Sequence, residues 1–226
     1  MNEASEYAYL GETIDVPITG SDPLQATVAY CDETDVDRML LVFPPNPILG
    51  GDSRNNVVQA LLAEAVKRQA LAVTFDYRGS NGSRVGDVDM MTYWEALNAG
   101  GDFSQIIEDA VAVVSAIKTA FGSPGCCALA GYSFGCYMAL QSAPQLGRPP
   151  VGGISPPLEE YDFRPWLKEG DLHLFVAPDD PFCPTHKAKE LCDNTGMAIH
   201  TVASDDHFFR GTEPLLARTV CDTLQL

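Results

Sequence analysis

The sequence predicts an α/β protein whose mostly parallel sheet is covered by helices on both faces and begins with an antiparallel hairpin. From Arg38 onward, short apolar runs of strand length alternate with helical stretches. Before that, two β-branched stretches, Thr13–Thr19 and Gln25–Cys31, flank the turn residues 20–23, which is typical of a hairpin. No linker or repeat divides the 226 residues, so we expect one domain over residues 1–226.

Each element is assigned from its periodicity. Apolar residues at i, i+3, i+4 and i+7 predict two long amphipathic helices, whereas continuous apolar runs predict strands buried on both faces. The first helix has Ser53 as its expected cap and buries Val57, Val58, Leu61, Leu62, Ala65 and Val66. The second, Phe103–Phe121, buries Ile106, Ile107, Ala110, Val111, Val114, Ile117 and Phe121. The expected strands are Arg38–Phe43, Ala70–Phe75, Cys126–Ala130, Val151–Ser155, Leu172–Ala177 and Met197–Val202, and the other helices are Phe134–Ala143, Pro184–Asn194 and Glu213–Leu224.

The composition excludes several classes of partner. A net charge of −17 repels nucleic acid phosphates and anionic membranes, and no basic stripe offsets it. No apolar run approaches the roughly 18 residues that span a bilayer, and the acidic N-terminus lacks the pattern of a signal peptide. We therefore expect a soluble cytoplasmic protein that binds neither nucleic acid nor membrane, with its oligomeric state left open.

The seven cysteines show no C-x-x-C pair and no regular spacing. That pattern argues against a disulfide framework or a zinc site and favours buried, reduced thiols. No histidine–carboxylate cluster has metal-ligand spacing either, so we expect neither a metal nor another cofactor. A thiol-based enzyme using Cys126, Cys127 or Cys136 is a weak alternative, because none of these has a nearby histidine.

The sequence Gly131-Tyr132-Ser133-Phe134-Gly135 lies between a predicted strand and a predicted helix. A sharp strand-to-helix turn can lift a serine hydroxyl above a sheet, and small residues two positions away on each side let the backbone pass closely. The helix N-terminus behind the serine favours a developing oxyanion. We therefore predict Ser133 as a nucleophile; the alternative is a serine in an ordinary strand–helix turn.

Of the four histidines, only His207 lies in a loop, between the last predicted strand and the last helix. A histidine base in this position completes the chain order serine, acid, histidine. His207 is therefore the predicted general base, against the alternative of a solvated surface histidine.

The acid that orients the histidine is expected after the strand Leu172–Ala177, at the carboxyl edge where parallel sheets form their sites. Asp179 and Asp180 are adjacent there, so only one can face His207, and we choose Asp180. The alternative is that these aspartates only shape a turn. The reserve candidates are Glu159 and Glu160.

Two backbone N–H groups are expected to bind the oxyanion. One belongs to Phe134, the residue after the nucleophile. The other should come from the loop after Arg38–Phe43, and between Pro44 and Pro47 only Asn46 has a backbone N–H. The prolines would also stiffen this loop before reaction.

These motifs together resemble a group of small, mostly uncharacterised α/β-hydrolases. That group carries a His-Pro-His-Pro loop followed by Gly-Gly, a Phe-x-Phe-Arg-Gly segment, a G-x-S-F-G elbow and an Asp-His-Phe-Phe ending. The resemblance covers nearly the whole chain and implies an α/β-hydrolase fold, Asp180 as the acid, and a carboxylate partner for Arg78. No insertion in the sequence is long enough to make a full lid domain. The corresponding stretches are Pro44–Gly51, Phe75–Gly79, Gly131–Gly135 and Asp206–Phe209.

Pro44 and Asn46 stand where the group carries histidines. The leading hypothesis is a serine hydrolase that cleaves a small carboxylic ester, thioester or lactone through an acyl-enzyme on Ser133. The alternative, supported by the altered loop, is a non-catalytic binding or scaffold protein that retains the fold. The segments Asp87–Asp102 and Pro156–Gly170 could form short covers over the site. Their aromatic residues are candidates for pocket walls, with ordinary packing as an equal alternative: Tyr93, Trp94, Tyr161, Phe163 and Trp166.

Overall fold

The computed structural model describes residues 10–31, 34–122, 126–167, 172–195 and 197–226. Eight strands form one sheet in the order β1-β2-β4-β3-β5-β6-β7-β8. β1 and β2 form the predicted antiparallel hairpin, and β2 also pairs antiparallel with β4. Every pair from β4 across to β8 is parallel. The predicted mostly parallel sheet with an antiparallel start is confirmed.

The strands are β1 Leu10–Val16, β2 Leu24–Tyr30, β3 Asp35–Phe43, β4 Ala70–Phe75, β5 Cys126–Tyr132, β6 Val151–Ile154, β7 Leu172–Val176 and β8 Ala198–Thr201. The helices are α1 Asn56–Lys67, α2 Met90–Gly100, α3 Ser104–Phe121, α4 Phe134–Ser142, α5 Thr185–Thr195 and α6 Glu213–Thr223. Expectations for the N-terminal segment 1–6, the break at 123–125 and the Cys126 side chain lie outside the described residues.

Two apolar cores lie on opposite faces of the sheet. Central strands contribute to both, because successive side chains point to opposite faces. In β3, Met39, Leu41 and Phe43 belong to the core that contains apolar residues of α2 to α5, whereas Leu40 and Val42 belong to the core that contains those of α1 and α6. This double burial explains why β3 is a continuous apolar run. Within the described ranges, no helix is long and apolar enough to cross a bilayer.

One expectation about the helices was wrong, and one helix was not predicted. Ser53 does not cap α1; the Asn55 side chain accepts the Val57 N–H at 2.9 Å, while the Ser53 N–H donates to Asp76. The Asp87–Asp102 segment contains a helix, α2, that periodicity did not indicate because Trp94 is its only buried residue.

The Arg78 side chain makes a buried ion pair with Asp109 of α3, which confirms the carboxylate partner implied by the resemblance. Arg78 Nε lies 2.7 Å from Asp109 Oδ2, and a second guanidinium nitrogen pairs with Oδ1. Burial raises the pKa of Asp109, an effect that Arg78 opposes. The Arg78 carbonyl also accepts the Trp94 indole N–H at 3.1 Å, so the pair holds α2 and α3 to the loop after β4.

Replacing Arg78→Met should lower the free energy of unfolding by about 3–5 kcal/mol, because it leaves a buried carboxylate without its cation. The pKa of Asp109 would then rise further above its unfolded value. A raised folded-state pKa gives stability at low pH that is lost as pH rises. Urea unfolding should therefore show a smaller deficit relative to wild type at acidic than at neutral pH.

The matched control is Arg78→Met combined with Asp109→Leu, which removes both charges and should recover much of the lost stability. An Arg78→Met protein as stable as wild type at neutral pH would show that the pair does not hold these elements.

Candidate active site

The predicted serine elbow is present at the end of β5. Ser133 has φ 54° and ψ −122°, a conformation that costs a non-glycine residue energy and that the surrounding structure must hold in place. Its N–H donates to the Ile154 carbonyl at 2.8 Å, and α4 begins at the next residue. Ser133 thus forms the sharp turn between the end of β5 and the N-terminus of α4.

Both elbow glycines are required by close backbone contacts. A Cβ on Gly131 would lie 2.2 Å from the Gly135 carbonyl oxygen. A Cβ on Gly135 would lie 2.1 Å from the Phe43 carbonyl oxygen at the end of β3. Both distances are far below van der Waals contact, so α4 can approach β5 and β3 only without these side chains.

The structure brings Asp180 and His207 together. His207 Nδ1 lies 2.8 Å from Asp180 Oδ2, and the two residues are only 6% and 3% exposed. Asp179, the other candidate acid, is exposed. Because a carboxylate only accepts hydrogen bonds, Nδ1 is the donor in this pair, which leaves Nε2 as the ring nitrogen that can exchange a proton with Ser133.

Backbone donors and the histidine keep Asp180 ionised. Burial by itself raises the pKa of this carboxyl, but the His207 hydrogen bond and the nearby Ser155 hydroxyl outweigh it, so the net shift is downward. The N–H groups of Phe182 and Cys183 also donate to Oδ1 at 2.9 and 3.2 Å. Asp180 is therefore a fixed negative charge at neutral pH.

The loop carrying His207 is anchored from two sides. The Tyr132 hydroxyl, next to the elbow serine, donates to the His207 carbonyl at 3.0 Å. Asn56 at the start of α1 donates to the Phe208 carbonyl at 2.9 Å. These contacts hold the histidine over the carboxyl edge of the sheet.

Ser133 and His207 line the same cavity, of about 300 Å³. Within the described residues the Ser133 hydroxyl makes no hydrogen bond to the ring. Such bonds are often long without substrate and shorten when it binds. The predicted nucleophile and the predicted base therefore line one cavity but are not hydrogen-bonded to each other.

The backbone N–H groups of Phe134 and Asn46 make no hydrogen bond with any described residue. Both residues line the cavity. The carbonyl of Asn46 accepts the N–H groups of Leu49 and Gly51 at 3.1 and 3.0 Å, which fixes the loop. An oxyanion site requires backbone donors of this kind, and these two belong to residues that line the same cavity as Ser133.

The Tyr161 hydroxyl holds this loop through a hydrogen bond to the Asn46 side chain, a contact that the sequence did not indicate. This hydroxyl accepts from Asn46 Nδ2 at 3.3 Å and donates to Asn98 Oδ1 of α2 at 2.9 Å. The Tyr161 ring stacks on Tyr137 and lies 5.4 Å from the Phe134 ring. Tyr161 thus contacts both Asn46 and Phe134, the two residues predicted to supply the oxyanion donors.

Of the two interpretations of the five aromatic residues in the short covers, the structure favours ordinary packing over pocket walls. None of them lines the cavity that holds Ser133, and Trp94 and Phe163 are buried in the core. The aromatic lining consists instead of Tyr132, Phe134, Phe182 and Phe208. Phe182 and Phe208 lie within two residues of Asp180 and His207, and this proximity was the signal available in the sequence.

The reserve acids do not contact His207. Glu159 pairs with Lys187 at 2.6 Å, and Glu160 is an exposed residue of the cavity lining. The thiol alternative has no support in the geometry either, because Cys136 is buried and burial raises the pKa of its thiol. Among the described residues, no group of three histidines, cysteines or carboxylates could hold a metal ion.

No protein-family model and no curated protein matches the sequence. Solved structures do match the fold. An α/β serine hydrolase without a lid from Xanthomonas campestris superposes with a TM-score of 0.76 at 20% identity, covering 96% of this chain and 94% of that one. An α/β serine hydrolase homologue from Coxiella burnetii gives 0.78 at 19% identity, covering 94% and 97%.

A cold-adapted esterase from an Arctic intertidal metagenomic library gives a TM-score of 0.66 at 17% identity, covering 94% of each chain. The protein therefore has the α/β-hydrolase fold that the resemblance implied, and its described residues contain no inserted lid domain.

Replacing Gly135→Ala should lower the free energy of unfolding by about 3 kcal/mol or more, because the new methyl group must displace the Phe43 backbone. Chemical denaturation measures this. The matched control is Gly100→Ala at the exposed end of α2, where a Cβ meets nothing within 4 Å. Equal stabilities for the two variants would contradict the close approach of α4 to β3.

Proposed function

We propose that this protein is a serine hydrolase that transfers the acyl group of a small carboxylic ester, thioester or lactone to water. The observation that carries the proposal is the buried Asp180–His207 hydrogen bond beside the cavity lined by the Ser133 elbow. A strained serine, an oriented histidine and a carboxylate held ionised serve acyl transfer together. The structural likeness to serine hydrolases and an esterase supports the same reaction class.

In the first half of the reaction, Ser133 Oγ attacks the carbonyl carbon of the substrate while its proton passes to His207 Nε2. The carbonyl oxygen becomes an oxyanion that accepts from the N–H groups of Phe134 and Asn46. The bond to the leaving group then breaks, and the leaving alcohol or thiol takes the proton from His207. This leaves an acyl ester on Ser133.

In the second half, water attacks the acyl ester and gives a proton to His207. The Ser133 oxygen leaves and recovers that proton, which releases the carboxylic acid. Asp180 stays ionised throughout and stabilises the imidazolium that forms twice per cycle. Overall, one water is consumed; an ester or thioester gives one acid and one alcohol or thiol, and a lactone gives a single hydroxy acid.

A non-catalytic binding or scaffold protein is the competing proposal, based on Pro44 and Asn46 in place of histidines. One observation weighs against it: Asn46 lines the cavity and its N–H makes no hydrogen bond with any described residue, so the loop keeps a donor that the reaction could use. A backbone donor does not depend on the identity of its own side chain.

A fluorophosphonate probe should phosphonylate Ser133, detected as an adduct mass on the tryptic peptide that contains this residue. Ser133→Ala removes the nucleophile and His207→Ala removes the base, so both variants should lose the label. On an ester substrate, Ser133→Ala should lower kcat by roughly 10⁴-fold or more.

The labelling control is Ser142→Ala, which changes a fully buried serine at the end of α4. It should leave labelling intact. A folded wild-type protein that takes up no probe would favour the non-catalytic alternative.

Replacing Tyr161→Phe should lower kcat by about 10-fold with little change in KM. The hydroxyl that holds Asn46 is lost, and an oxyanion donor matters most in the transition state. Steady-state kinetics on an ester measures the two constants separately.

Tyr137→Phe is the matched control, because Tyr137 stacks on Tyr161 but its hydroxyl makes no hydrogen bond within the described part of the chain. It should leave kcat close to wild type. Equal effects of the two variants would indicate packing rather than positioning.

A further inference from the structure

The rim of the cavity is apolar and exposed. Leu49, Phe182 and Phe208 line the cavity and are 77%, 41% and 43% exposed. Large exposed apolar side chains gathered around one opening are typical of a ligand site, because a bound apolar group would remove them from water. A substrate that fits this opening therefore carries apolar surface beyond its reacting carbonyl.

The charge of the lining is one-sided. Glu160 is its only carboxylate, and none of the residues that the structure places in the lining is a lysine or an arginine. The carboxylate of Glu160 makes no ion pair with any described residue. Three basic residues are close in the chain or in space to lining residues without lining the cavity themselves. Arg210 has its guanidinium carbon 4.8 Å from the centre of the Phe208 ring, Arg54 pairs with Asp52, and Lys187 pairs with Glu159.

This local charge has the same sign as the whole molecule, whose net charge is −17. An anionic substrate meets repulsion on approach from the protein as a whole and again at the opening from Glu160. A neutral substrate meets neither, and a cationic one is attracted. Charge thus distinguishes thioesters of phosphorylated carriers, which are polyanions, from simple esters and lactones, which are not.

We propose that the substrate is an uncharged or cationic ester or lactone bearing an apolar group, and that Glu160 is the residue that disfavours carboxylate-bearing esters and polyanionic thioesters. This inference rests on the proposed serine-hydrolase function and narrows it. Leu49, Phe182 and Phe208 would hold the apolar part of the substrate, and Glu160 would set the charge preference.

The test compares two esters of matched acyl length, 4-nitrophenyl butyrate and the monoanionic 4-nitrophenyl hemisuccinate. Wild type should prefer the neutral ester in kcat/KM at low salt. Glu160→Gln should lower the ratio of the kcat/KM values for the neutral and the anionic ester by roughly 3- to 10-fold, which is the effect of one charge a few ångströms away near a protein surface. Glu160→Lys should lower this ratio further. Raising the ionic strength to about 0.5 M should remove most of the difference, because salt screens exposed charges.

Glu159→Gln is the matched control. It removes a neighbouring exposed carboxylate that does not line the cavity, so the ratio should stay close to wild type. Substitution of the exposed Glu160 should leave the melting temperature unchanged, which separates a charge effect from a folding defect.

The outcomes separate this inference from the function on which it rests. Hydrolysis of both esters with equal kcat/KM, or a ratio unchanged in Glu160→Lys, would overturn the charge preference while the hydrolase stands. If neither ester is hydrolysed and the fluorophosphonate probe leaves no adduct, the proposed function fails and the inference fails with it.

Discussion

The close approach of two backbones at the elbow is the constraint on which the site depends. Gly135 packs against the Phe43 carbonyl and Gly131 against Gly135, so α4 begins directly above the ends of β3 and β5. The same approach forces Ser133 into a left-handed conformation and brings its hydroxyl to the cavity. It also sets the Phe134 N–H beside the loop that follows β3. A larger residue at either glycine would therefore displace the Ser133 hydroxyl and the Phe134 N–H from the loop after β3.

The sequence predicted the elements with strong local signals. The apolar residues named for α1 are all buried, because a 3.6-residue period over twelve positions leaves little ambiguity. β4 has the predicted bounds, since the run Ala70–Phe75 is apolar on both faces and covered on both. The periodicity did not predict α2, because this helix buries only Trp94. Its capping residues were a usable signal, since Asp89 is the N-cap and Gly101 is a C-cap in the left-handed conformation.

For the site, chain order and motif placed Ser133, Asp180 and His207 at one edge of the sheet, and the structure brings the last two into contact. The choice of Asp180 over Asp179 was supported only by the resemblance, since two adjacent aspartates look alike in a sequence. The Tyr161 contact with Asn46 joins residues 115 positions apart and has no local pattern. Long-range side-chain contacts of this kind depend on how segments pack, which periodicity does not describe.

Asn46 shows why a changed side chain need not remove a function. Its Oδ1 accepts the Ile48 N–H at 3.0 Å and its Nδ2 donates to Tyr161, so the side chain holds its own loop. The proposed oxyanion donor is the backbone N–H, which any residue except proline supplies. Asparagine between two prolines therefore supplies both the donor and the side-chain contacts that hold it. In the proposed reaction the Asn46 side chain thus has a positioning role, while selection of the substrate would fall to the exposed rim of the cavity, which includes Leu49 of the same loop.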